Sequence, residues 1–134
     1  MEYLLDTHIA IWSLFDDEKL PKIAYELINN NENIIYVSSV STLEIAVKRK
    51  SHPEQMPIDS NKFVYYCKEA GFKTLPITNK HIIGIDSLEY KSDKPRHKDF
   101  MDKLLISQAK EDGMLLITHD HLMKNYNENC LLIL

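Results

Sequence analysis

The sequence predicts a doubly wound α/β fold. Five short apolar runs, at 3–5, 34–37, 74–77, 114–118 and 130–134, are bounded by polar or turn residues. Several are apolar on successive residues, as suits strands buried on both faces of a parallel sheet. Stretches of helical character alternate with them, and strands alternating with helices solve their burial problem as a layered α/β sheet. The composition agrees: 134 residues, 44% hydrophobic and 27% charged, suffice for one core without metal or disulfide staples. Residues 1–134 are therefore expected to form one domain.

Taken in order, the run at 3–5 ends on Asp6, and a helix is expected at 7–15. A second at 21–30 runs into the Asn-rich loop 29–33. After the strand at 34–37 comes a helix at 40–51, where Ser41-x-x-Glu44 fits a capping box and Glu44 stands four residues before Lys48. Residues 51–57 read as loop, 59–70 as helix, 74–77 as strand, 79–88 as helix and 89–98 as loop. In the helix at 99–112, Met101, Leu104, Leu105 and Ala109 recur at helical spacing, and Gly113 stands where a C′ glycine belongs. The strand at 114–118, a helix at 120–126 and the strand at 130–134 complete the chain.

Several function classes are excluded. No apolar run approaches the ~20 residues of a membrane span, and the opening MEYLLDTH has no basic region of a signal peptide. Cys67 and Cys130 make no disulfide framework and no CxxC. A reduced, cytoplasmic setting is expected. The net charge of −4 argues against nonspecific grip on nucleic acid by overall charge, though not against a local basic patch.

Chemistry in such a sheet belongs beyond the carboxyl ends of its strands. Acids collect there: Asp6 after the first strand, Asp120 after the fourth, Glu44 in the helix after the second, Asp99 and Asp102 opening the helix before the fourth. Each has a plain structural account, since Asp6, Asp120 and Asp99 can cap helices and Asp102 can face a helix dipole. Together they are harder to explain. Carboxylates crowded at one crevice raise one another's pKa, and a divalent cation relieves the repulsion. Hard oxygen donors suit Mg²⁺, usually in company with phosphate. The residues thus point to a Mg²⁺-dependent phosphate-processing site.

These segments resemble the PIN-domain nucleases, and among them the VapC-like toxins of bacterial toxin–antitoxin modules. YLLDTHIAIW resembles the family's first strand, leading Asp and following helix; SSVSTLEIAVK resembles the segment supplying its glutamate. LPIT is similar to its third strand, and HKDFMDKLLISQAKEDGMLLITHD to the block carrying its last two acids. The resemblance implies a PIN-like three-layer α/β/α fold with a central parallel five-stranded sheet in the order 3-2-1-4-5. It implies Asp6, Glu44, Asp102 and Asp120 as an acidic quartet around Mg²⁺ (or Mn²⁺), and favours Asp102 over Asp99 as the ligand. It further implies a metal-dependent endoribonuclease leaving 5′-phosphate and 3′-hydroxyl ends, a cognate antitoxin protein as partner and a homodimer. Where relatives carry Asp-Pro-Phe-Asp-Arg, this chain has Asp99-Phe100-Met101-Asp102-Lys103, which loses the bidentate fork of Arg at 103.

Thr7 and Thr118 neighbour two of the acids, where a hydroxyl can orient a carboxylate or simply serve a cap or strand. Arg96, Lys98 and Lys103, with Lys48 in a second basic cluster, are candidate RNA-phosphate contacts. His119 and His121 flank Asp120 but have no further spaced Cys or His ligands, so a zinc reading is weak. Tyr25, Phe63, Tyr65, Tyr66 and Phe72 are expected mainly in core or interface, and Trp12 in core. Two other functions stay open: a catalytically silent PIN-like binding module, and a phosphoacceptor or phosphatase domain. The latter lacks the acid after its third strand and the lysine after its fifth that a receiver needs.

Overall fold

The computed structural model describes residues 1–91, 93 and 99–134. Among them, β1 (Glu2–Leu5), β2 (Ile34–Ser38), β3 (Lys73–Leu75), β4 (Leu115–Thr118) and β5 (Leu131–Ile133) form one sheet in the order β3-β2-β1-β4-β5. Every pairing is parallel, with Leu4 opposite both Tyr36 and Leu116. Helices α1 (Thr7–Phe15), α2 (Lys22–Ile28), α3 (Ser39–Ser51), α4 (Ser60–Glu69), α5 (Asn79–Ile83) and α6 (Phe100–Asp112) flank it. The architecture is the PIN-like α/β/α arrangement.

The two-residue period of the strands divides the core. Tyr3, Leu5, Ile35, Val37 and Ile117 face one layer, packed with Ile9, Ala24, Ile45 and Phe63 from α1 to α4. Leu4 and Leu116 face the other, packed with Leu104, Leu105 and Ala109 of α6. Strands covered on both sides explain why successive residues are apolar.

Most expected elements form within a few residues, and the departures have local causes. Helix α3 starts at Ser39, because the Ser38 hydroxyl caps it by accepting from Val40 N at 2.9 Å. Ser41 and Glu44 therefore make no capping box. The expected helix at 79–88 divides at Gly84, where α5 passes into a 3-10 turn, Gly84–Ser87. A side chain there would bring its Cβ within 2.6 Å of Ser107 Oγ on α6. The expected helix at 120–126 is a 3-10 turn, His121–Asn125, whose exit is pinned by the Tyr90–Tyr126 bridge. Gly113 closes α6 in the left-handed region at φ 68°.

The sheet order carries the functional consequence. β1 and β4 are neighbours, yet the chain leaves β1 toward β2 on one side and β4 toward β5 on the other. Their carboxyl ends form the switch point, and Asp6 and Asp120 follow those ends.

Candidate metal centre

Asp6 is held from both sides. It is the N-cap of α1; Oδ1 accepts from Thr7 N at 2.7 Å and Oδ2 from the Thr118 hydroxyl at 2.6 Å. The Thr118 oxygen also accepts from Asp120 N at 3.0 Å, so one hydroxyl ties the ends of β1 and β4 together. Asp120 caps the following turn by accepting from Leu122 N at 3.0 Å. Thr7 serves Glu44: its hydroxyl donates to Oε1 at 3.0 Å while lying 2.8 Å from Ser41 Oγ. Since Thr7 has one hydroxyl proton, Ser41 donates and the relay runs Ser41 to Thr7 to Glu44. Glu44 makes no ion pair with Lys48 among the described residues.

Asp99 and Asp102 share the first turn of α6 but differ in environment. Asp99 is exposed and caps the helix, accepting from Met101 N at 2.9 Å and Asp102 N at 3.3 Å. Asp102 is buried, with 8% of its surface exposed. Asp6, Glu44, Asp99, Asp102 and Asp120 line one cleft of about 300 Å³, together with His8, Trp12 and His119.

Burial pushes the Asp102 carboxyl up to about 8, with Asp6, Asp99, Asp120 and Glu44 adding like-charge repulsion. Burial also raises Asp6, against the opposing hydrogen bonds from Thr118 and Thr7. Glu44 is raised by burial, opposed by its bond from Thr7 and reinforced by Asp6. No Lys or Arg lines the cleft among the described residues. The donors are thus hard carboxylate oxygens in mutual repulsion, the set that a small divalent cation suits. They stand on the walls of the cleft, and no three of the described acids, histidines or cysteines are gathered as a finished cage.

The other candidates lie elsewhere. Lys48 and Lys103 are outside the cleft lining, and Arg96 and Lys98 fall outside the described residues. His119 Nδ1 and His121 Nε2 approach the backbone oxygen of Leu134 at 2.6 and 3.2 Å. Trp12 packs only partly against the core and presents its remaining surface to the cleft. Sequence reasoning missed the cleft position of His8 and Trp12, although the four-residue spacing between them, on the helix that follows Asp6, puts both on one face. Phe63 and Phe72 are core, whereas Tyr25, Tyr65 and Tyr66 are exposed.

No helix among the described residues is long and apolar enough to cross a membrane. A chain of the VapBC2 complex from Rickettsia felis, solved bound to a DNA fragment from their promoter, superposes with a TM-score of 0.66 at 18% identity, covering 100% of this chain and 98% of that one. A chain of the DNA-bound VapBC from Salmonella typhimurium gives 0.66 at 12% identity, covering 99% and 98%. At such identities the likeness establishes the fold. No curated protein matches the sequence. The PIN domain profile matches residues 3–129, nearly the whole chain, and the protein belongs to the PIN domain family.

Proposed function

We propose that the chain is a divalent-metal-dependent endoribonuclease, the toxin of a toxin–antitoxin module, acting in the cytoplasm. The observation that carries this reading is Asp102, a buried carboxyl pushed up to about 8 in a cleft lined by four other acids. Carboxylates crowded in this way raise one another's pKa, and a cation among them relieves that repulsion.

Asp6, Asp102 and Asp120 would hold Mg²⁺ (or Mn²⁺), with Glu44 as a further ligand or an orienting group. The chemistry such an ion supplies when bound is Lewis-acid: it lowers the pKa of water and offsets charge on phosphodiester oxygens. The chain's own groups prepare the site. Thr118 fixes the Asp6 carboxylate and the start of the Asp120 turn; Ser41 and Thr7 fix Glu44. Held in place, these carboxylates need little reorganisation when substrate arrives. Arg96, Lys98, Lys103 and Lys48 are assigned to backbone phosphates, so Arg96→Ala with Lys98→Ala should lower the salt slope of RNA binding by about 1–2.

An active nuclease of this kind needs restraint in trans, and a cognate antitoxin is the inferred partner. An Arg from it would pair with Asp6, Asp102 or Asp120 in place of the cation. The exposed Phe15–Tyr66–Tyr65 row between α1 and α4, with centroids 5.4 and 5.2 Å apart, supports an apolar anchor for that partner or for a homodimer. The deciding experiment incubates the purified chain with RNA in Mg²⁺ or EDTA. Cleavage in Mg²⁺ alone is expected; binding without cleavage would leave a silent binding module, and a phosphorylated Asp6 the phosphoacceptor reading.

A further inference from the structure

Four rings run in a row, the first three of them on one wall of the acidic cleft. His8 and Trp12 of α1 have centroids 5.8 Å apart, Trp12 and His119 5.7 Å, and His119 and His121 5.2 Å. The row is joined to the acids at both ends of its chain path, His8 two residues after Asp6 and His119 immediately before Asp120. His8, Trp12 and His119 line the same cavity as Asp6, Asp102 and Asp120. Three of the rings are also held in place. Trp12 packs on the core through part of its surface, and His119 and His121 share the Leu134 backbone oxygen.

A core tryptophan would be buried, and a solvated one would have no neighbours; Trp12 is half-buried between two imidazoles. Among the described residues the cleft itself offers a phosphate no countercharge, because its lining holds five carboxylates and no Lys or Arg. A polyanion seated there gains from an attraction that does not depend on charge. Ring stacking is such an attraction, and a preordered aromatic surface loses little entropy when a flat ligand covers it.

We propose that the His8–Trp12–His119–His121 row is a base subsite: Trp12 and His119 seat a nucleobase beside the phosphate that the acids address. The assignment rests on the nuclease reading above and makes Trp12 a positioning residue. Stacking accepts any base, so the subsite sets the register of the strand at the cleft and not its sequence. A base already paired in a duplex has its faces covered and is excluded.

Trp12 is the single tryptophan of the chain, so its fluorescence reports the subsite directly. Single-stranded oligoadenylate, added in Ca²⁺, should quench Trp12 emission over the same concentrations that raise the anisotropy of a labelled strand. An abasic ribose-phosphate strand of equal length should not quench it. Trp12→Leu, which keeps apolar volume without the ring, should weaken oligoadenylate binding about tenfold and the abasic strand hardly at all. Trp12→Phe should recover most of the loss, and equal melting temperatures for the two variants separate stacking from folding. If cleavage occurs, the same loss should fall on KM more than on kcat. RNA binding without quenching, or an equal loss for both strands in Trp12→Leu, overturns the subsite and leaves the nuclease reading intact. Quenching and ring-dependent binding without Mg²⁺-dependent cleavage support the subsite and overturn the nuclease reading.

Discussion

Two buried polar clusters lie on helix α6, and they are built on opposite principles. At its carboxyl half, His81 is 3% exposed and fully answered. Its Nδ1 accepts from Thr78 N at 3.1 Å, which leaves the proton on Nε2, 3.1 Å from Asp112 Oδ2. Lys80 Nζ adds a cation 3.8 Å from Asp112 Oδ1, and the Ser107 hydroxyl donates to the His81 carbonyl at 2.5 Å. At the amino end of the same helix, Asp102 is also buried, with Asp6, Glu44, Asp99 and Asp120 near it. Among the described residues, one cluster pairs donors with acceptors and unlike charges, and the other brings several carboxylates together. Burial of polar groups therefore marks function only when the partners do not match. The His81 cluster holds α5 on α6, and the Asp102 cluster lines the cleft.

The largest effect that sharpens this contrast is on cleavage. Asp6→Asn, Asp102→Asn and Asp120→Asn should each cut Mg²⁺-dependent RNA cleavage at least about a hundredfold, or ~2.7 kcal/mol of barrier, with Glu44→Gln close behind. The melting temperature of each metal-free variant should match or exceed that of the wild type, since one repelling charge is gone. A variant that loses activity by unfolding would erase the distinction between the clusters.

Stability should respond in the opposite sense at the other cluster. Asp112→Ala leaves the buried His81 Nε2 without its acceptor, and such an orphaned group costs about 1–3 kcal/mol. Denaturant unfolding should show that loss while Mg²⁺-dependent cleavage stays at the wild-type rate. Reduced cleavage in folded Asp112→Ala would couple the two ends of α6.

A smaller effect follows from pH. Asp102 titrates near 8 in the folded chain, against about 4 for an unperturbed carboxyl, so folding disfavours its charged form. The contribution to stability is whole below about pH 4 and is lost as pH rises toward about 8. Metal-free wild type should accordingly melt lower at pH 8 than at pH 5. Asp102→Asn should flatten that slope, and Mg²⁺ should restore part of the wild-type melting temperature at pH 8. A slope unchanged by Asp102→Asn would place the repulsion on another acid.

The contrast also explains what was legible in the sequence. Strands buried on both faces write their burial into consecutive apolar residues, so the strands could be read from the pattern, whereas their order came from the family resemblance. The acids could be placed at one edge because topology alone delivers strand ends there. Side-chain partners are a different matter. Ser41 reads equally well as a capping residue or as the donor to Thr7, and only the start of α3 at Ser39 decides between them. Trp12 reads as core until the end of β4 brings His119 against it, a contact over about a hundred residues of sequence that no local pattern records. The His81–Asp112 pair is invisible for the same reason. Residues 96 and 98, assigned to phosphate by charge, lie outside the described residues.

The finest distinction is between Asp99 and Asp102, three residues apart at the start of one helix. Asp99 Oδ1 is engaged by two backbone amides of the first turn, and its side chain is exposed. Asparagine caps a helix about as well as aspartate, so Asp99→Asn should leave stability within a few tenths of a kcal/mol, whereas Asp99→Ala should cost about 1 kcal/mol. Asp99→Asn also removes one of the charges that raise Asp102 and Glu44, which should lower both toward the ordinary carboxylate range. Cleavage should fall by no more than a few-fold in Asp99→Asn, against the hundredfold loss in Asp102→Asn. An NMR titration of the carboxyl carbons with steady-state cleavage on the same samples checks both points. The reverse result, with Asp99→Asn dead and Asp102→Asn active, would make the exposed cap the ligand, and the buried carboxyl would then be the one that only shapes the helix end.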